Sequence, residues 1–129
     1  MTLGHQESLD YDRLMREHLT RVFNERDSNT RLKAIEEIYA DDATLYESED
    51  SSVQGHFAIN QAVEALLSSL PRAFTFIPIG PAVGHHGVGQ LRWQSGPPDG
   101  PVAVTGTDVI HFVEGRIHSV YVFLDPTAA

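Results

Sequence analysis

The chain has 129 residues, 41% hydrophobic and 21% charged, with a formal net charge of −9, the profile of one globular domain with an acidic surface. Such a field repels phosphate backbones and no cluster of Lys and Arg offsets it, which argues against nucleic acid as a partner. There is no cysteine, hence no disulfide and no thiolate nucleophile or metal ligand. No run approaches the roughly 20 apolar residues of a membrane span, so a cytoplasmic protein is expected.

Residues 1–7 read as a flexible tail and residues 8–129 as a single domain. From Ser8, a plausible cap, Tyr11, Leu14, Met15, Leu19, Val22 and Phe23 recur at three- and four-residue intervals, which predicts an amphipathic helix. After the polar break "NERDSNT", a second short helix carries Leu32, Ile35, Ile38 and Tyr39 on one face. "ATLYE" (43–47) predicts a short strand. Gly55 opens a third helix, with Ile59, Ala62, Val63, Leu66, Leu67 and Leu70 as its stripe, and Pro71 stops it.

Beyond Pro71 the period changes to two. "FTFIPI" (74–79) predicts a strand that Pro78 confines to an edge or a bulge. "HHGVGQLRWQ" (85–94) predicts a second, and "SGPPDGP" (95–101) a turn. "VAVTGTDVIHFV" (102–113) and "RIHSVYVFL" (116–124) are two more strands joined around Glu114-Gly115. Three helices followed by a meander make an α+β plan, a curved antiparallel sheet whose face the helices cover.

The last hairpin decides which side chains share a face. A two-residue loop would need positive φ at Glu114, which a non-glycine residue disfavours. A three-residue loop, Val113-Glu114-Gly115, places Asp108 and His118 on one face among Val104, Ile110, Phe112, Val120 and Val122. The alternative register pairs His111 with His118. An apolar strand face that carries one aspartate is the most informative local feature of the chain. Such a carboxylate is paired, kept neutral, or opens into a pocket; the plainer alternative is a strand-edge Asp108 bonded to backbone or Arg92.

Three segments carry a family resemblance: "IYADDATLYE" after the second helix, "QGHFAINQAV" opening the third, and "TGTDVIHFVEGRIHSVYVFLD" at the end. In their order and spacing, from about residue 8 to 125, the sequence resembles the nuclear-transport-factor-2-like superfamily in its SnoaL-like and ketosteroid-isomerase-like branch. The resemblance implies a cone-shaped, cystatin-like roll with a deep apolar pocket, and a homodimer formed through the outer sheet face. Aligned on "ADDAT", the family's general base falls on Glu47, and its second carboxylic acid, an oxyanion donor kept neutral by an apolar site, on Asp108. The helix position of the family's oxyanion tyrosine falls on Leu19, and Tyr46 resembles a strand tyrosine of epoxide-hydrolase-like relatives. Asp125 resembles the terminal acid of SnoaL-like cyclases, or caps the sheet edge.

Taken together, these readings predict catalytic roles for Glu47 as base, Asp108 as acid or oxyanion donor and His118 in support. Tyr46, Leu19, Val104, Ile110, Phe112, Val120 and Val122 are the predicted substrate-binding residues. The chain has no H-x-x-x-H, H-x-H or cysteine ligand pattern, a zinc site needs three or four converging ligands, and neither a metal nor a cofactor is expected. The expected function is acid–base chemistry (isomerisation, cyclisation, dehydration or hydrolysis) on a small apolar molecule bearing a carbonyl or epoxide. The alternative is a non-catalytic ligand-binding or dimeric interaction module of the same fold.

Overall fold

A computed structural model describes residues 9–126. The predicted tail, residues 1–7, and the predicted cap Ser8 lie outside the described residues. The helix they precede is capped by Asp10, whose side chain accepts the Arg13 N–H at 3.0 Å. Helix α1 spans Tyr11–Glu17 and continues without a break into a π-helical turn, His18–Phe23. The widened turn shows in the Asn24 N–H, which donates to the carbonyl of Leu19, five residues back, at 2.8 Å. Asp27 caps helix α2 (Ser28–Ile38), and Gly55, with φ 93°, precedes helix α3 (His56–Ser69).

Six strands form one curved, open, mixed sheet: β1 (Tyr39–Ser48), β2 (Ser51–Gln54), β3 (Thr75–His85), β4 (Val88–Gly96), β5 (Val104–Val113) and β6 (Arg116–Leu124). Their order is β2-β1-β6-β5-β4-β3. The α+β roll agrees with the sequence; the pairing of β1 with β6 is parallel, where an antiparallel sheet was expected. Strand β1 is ten residues long, twice the predicted segment, and the short β2 had no strand signal because serine and glutamine fill three of its four positions. Pro78 lies in the edge strand β3, where a missing N–H costs no ladder bond.

The β5–β6 hairpin corrects the predicted loop. Val113 pairs with Arg116, so the turn holds two residues, Glu114 at φ 52° and Gly115 at φ 78°. Both are left-handed, the geometry whose twist matches the flanking strands. Closure of the hairpin therefore outweighs the cost of positive φ at one glutamate. Between His111 and Phe112 the register then slips by one. The bulge turns Ile117 inward in the place expected for His118; Ile117 and Val120 are both fully buried although three residues apart. Beyond it Asp108 lies opposite Val122 and Ile110 opposite Val120.

The core is one cluster between helices and sheet, with Met15, Ile35, Tyr39, Ile59, Ile110 and Ile117 fully buried. Arg31 on α2 is also fully buried. It donates to the Asn60 Oδ1 and Glu64 Oε1 of α3, each at 2.6 Å, and to the carbonyl of Glu25 at 2.7 Å. These bonds satisfy the guanidinium and clamp α2 to α3. The Arg31 partner holds the Glu64 carboxyl below the usual glutamate range. Folding thus favours the charged form, so the contribution is complete above the ordinary glutamate pKa and lost as pH falls through the lower folded value. Melting temperatures followed from neutral pH into the acid range should fall more shallowly in Glu64→Gln than in the wild type. Parallel curves would show that this pair is not linked to acid unfolding.

Candidate active site

Asp108 lies midway along β5 on the face turned toward the helices, where its side chain is 5% exposed. Both of its oxygens accept hydrogen bonds. The Trp93 indole N–H of β4 donates to Oδ1 at 2.9 Å, and His18 Nε2 meets Oδ2 at 2.9 Å. The other ring nitrogen of His18, Nδ1, is 2.6 Å from the Tyr39 hydroxyl at the start of β1. His18 and Tyr39 are both fully buried. Four side chains from a helix and three strands thus form one chain, Tyr39, His18, Asp108, Trp93.

The proton positions follow from the donors. Indole only donates. Burial first, and the negative charge of Asp108 second, hold the Tyr39 hydroxyl protonated well above the usual tyrosine range. Among the described residues the acceptor within its reach is His18 Nδ1. An imidazole that accepts at Nδ1 carries its proton at Nε2 and donates it to Asp108. Every donor in the chain therefore points toward Asp108, and the arrangement fits a carboxylate. The neutral, oxyanion-donating acid expected at this position would need one of these oxygens to be a donor instead.

Asp108 forms part of the wall of a cavity of about 220 Å³ between the π-helical turn, α3 and the sheet. Leu19, Phe23, Phe76, Trp93, Val104 and Val122 make most of the lining apolar, while Glu47, Ser95 and Asp108 supply polar side chains. No Lys, Arg or His belongs to the lining among the described residues. Glu47 is half-buried near the end of β1, also borders the outer groove beside Tyr46 and Tyr121, and accepts from the Ser51 hydroxyl at 3.2 Å. It sits at the mouth and Asp108 inside.

The structure therefore brings Glu47, Asp108, Leu19, Val104 and Val122 to one cavity. Ile110, Phe112 and Val120 are buried in the core rather than in the cavity lining. Tyr46 is turned to the other face, where its ring stacks on Tyr121 at 4.6 Å. His118 also lies off the cavity: its ring packs 5.5 Å from that of the exposed His111, and its Nδ1 meets the Ser119 hydroxyl at 2.8 Å. Asp125 follows the end of β6, where it bonds to β4 and β5, and is held below the usual aspartate range by Arg92 first and Thr105 second. The histidine that meets Asp108 is His18, the residue before Leu19. Its signal was present: it stands three residues after Met15 and four after Leu14, on the buried face. Among the described residues no three His, Asp or Glu side chains converge as a metal site, and no helix is long and apolar enough to cross a membrane.

A curved, open sheet covered by helices is the architecture of a cystatin-like α+β roll, and a protein of Methylobium petroleophilum described by that fold superposes with a TM-score of 0.69 at 13% identity, over 93% of this chain and 78% of the other. The model of the SnoaL-like domain matches residues 15–120, and the chain belongs to that family. A candidate isomerase of the SnoaL-like family from Agrobacterium tumefaciens is 26% identical and superposes with a TM-score of 0.82 over 91% of this chain and 98% of its own. A candidate ketosteroid isomerase from Kribbella flavida, at 11% identity, covers 96% and 84% with a TM-score of 0.72. No curated protein matches the chain.

Proposed function

We propose that the protein is a cofactor-independent acid–base enzyme that removes a proton from a small, neutral, apolar substrate bearing a carbonyl or epoxide. Asp108 is the base and Glu47, at the mouth, the second acid–base group. One observation carries this reading: both oxygens of Asp108, at the wall of an apolar cavity, meet fixed partners, the Trp93 indole N–H and His18 Nε2. Each carboxylate oxygen has two lone pairs, so one on each remains free to take a proton. The apolar walls strengthen electrostatic interactions inside the cavity, and the rigid chain behind Asp108 removes the cost of orienting it during reaction. The isomerase and cyclase names carried by structural neighbours support the same class of chemistry.

A ligand carrier is the second reading, favoured by the same bonds, because Asp108 and Glu47 both have partners within the fold. Ring opening of nitrobenzisoxazole separates the two. This probe fits a bicyclic cavity and opens when a base takes its carbon-bound proton. The wild-type protein should open it much faster than acetate at equal concentration, and ethylnaphthalene should inhibit by filling the cavity. A rate no higher than that of acetate favours the carrier.

A further inference from the structure

Ser95 occupies the next inward position after Trp93 on β4. It lines the same cavity and is 4% exposed. Its backbone carbonyl accepts the Ala103 N–H at 2.8 Å, but its buried hydroxyl has no hydrogen-bond partner among the described residues. A buried hydroxyl without a partner costs free energy that alanine at the same position would not. Its surroundings, Phe76 across β3 and Val104 across β5, offer no side-chain polar atom. The nearest polar group on its own strand face, the Trp93 indole N–H, is already given to Asp108.

We propose that Ser95 is the anchoring donor for a ligand oxygen at the end of the cavity remote from Asp108. It rests on the reading of this cavity as a ligand site. Strand geometry sets the ligand's shape. Asp108 lies opposite Leu91 and Ser95 opposite Val104, so the two positions are four residues apart, about 13 Å along the strand. The Trp93 ring lies between them. The ligand is therefore elongated and apolar in the middle, with an oxygen at one end and the reacting carbon or hydroxyl at the other. It is also neutral: two carboxylates and no cation face the cavity among the described residues, so an anionic ligand meets repulsion without compensation. Ser95 is a positioning and specificity residue in this scheme, and takes no proton.

Trp93 is the single tryptophan of the chain, so intrinsic fluorescence reports occupancy of the cavity directly. A cavity of about 150 Å³ holds benzene, and this larger one suits a bicyclic probe. Acetylnaphthalene and ethylnaphthalene have nearly the same shape and differ by a carbonyl. The wild type should bind the ketone about fivefold more tightly than the hydrocarbon, the scale of one net hydrogen bond. Ser95→Ala should erase that preference while leaving ethylnaphthalene affinity unchanged, and its melting temperature without ligand should equal or exceed that of the wild type. Naphthoate should bind more weakly than either probe. Retention of the preference in Ser95→Ala, or a lower melting temperature, overturns the anchor alone, the latter because it would mean that the hydroxyl is bonded within the fold. Tighter binding of naphthoate overturns the neutral-ligand assignment. If neither neutral probe changes Trp93 fluorescence, the ligand-site reading itself falls.

Discussion

Asp108→Asn is expected to lower the rate of nitrobenzisoxazole opening by about 10²–10⁴-fold, the usual contribution of one general base. Asparagine keeps the shape and one acceptor, but its NH₂ group would face either the Trp93 indole N–H or His18 Nε2–H, both of which donate to Asp108 now. One of those buried donors loses its acceptor, so the variant should also be about 1–2 kcal/mol less stable. Rates are therefore to be compared at a temperature where both proteins are folded. Unchanged ethylnaphthalene affinity would show that the cavity survives. Glu47→Gln supplies the contrast. Glu47 stands at the half-buried mouth, where solvent screens its charge, and its replacement should cost less than that of Asp108. The opposite ranking, with Glu47→Gln inactive and Asp108→Asn nearly unaffected, would restore the assignment that alignment on "ADDAT" implies and would remove Asp108 as the base.

The contrast between these two acids also marks what could be read from the sequence. Asp108 stood out because alternation along β5 made its neighbours apolar, and periodicity survives any local detail of pairing. The helices, the strands β3 to β6 and the inward turn of Glu47, Val104 and Val122 were legible for the same reason. His118 was misplaced because its face depended on the loop and on a bulge. A bulge adds one unpaired residue, and nothing in "RIHSVYVFL" distinguishes a bulged residue from a paired one. His18 and Tyr39 were hidden differently. Each satisfied the helical pattern as a buried or flanking position, and only three-dimensional packing revealed that their polar atoms meet. A tyrosine at the end of an apolar stripe does carry a hydroxyl that burial obliges to find a partner; the partner's identity is a long-range fact, separated by 21 residues from Tyr39 and by 90 from Asp108. Ser95 was lost inside "SGPPDGP", whose composition reads as turn although its first two residues end β4.

His18→Leu is expected to produce the largest loss of stability among single changes at the site, about 2–5 kcal/mol, the summed cost of leaving a buried carboxylate and a buried hydroxyl each short of a hydrogen-bond partner. Leucine fills a similar volume but leaves two groups stranded. Asp108 keeps only the Trp93 bond, and the Tyr39 hydroxyl loses its acceptor in a fully buried position. Tyr39→Phe removes the hydroxyl together with its need, leaves only His18 Nδ1 without a partner, and should cost about 1–2 kcal/mol. The double variant should be less destabilised than the sum, because the hydroxyl that His18→Leu strands is no longer there. Alkaline solution provides an independent readout. The raised folded pKa of Tyr39 means that its contribution is complete below the ordinary tyrosine value and lost as pH rises toward the folded one. Wild-type stability should therefore fall more steeply in strong alkali than that of Tyr39→Phe. Denaturant unfolding measures all four proteins of the cycle. Strict additivity, or a His18→Leu variant within about 1 kcal/mol of the wild type, would mean that Asp108 is held by Trp93 and the cavity alone. The chain from Tyr39 through His18 would then have no part in fixing the carboxylate.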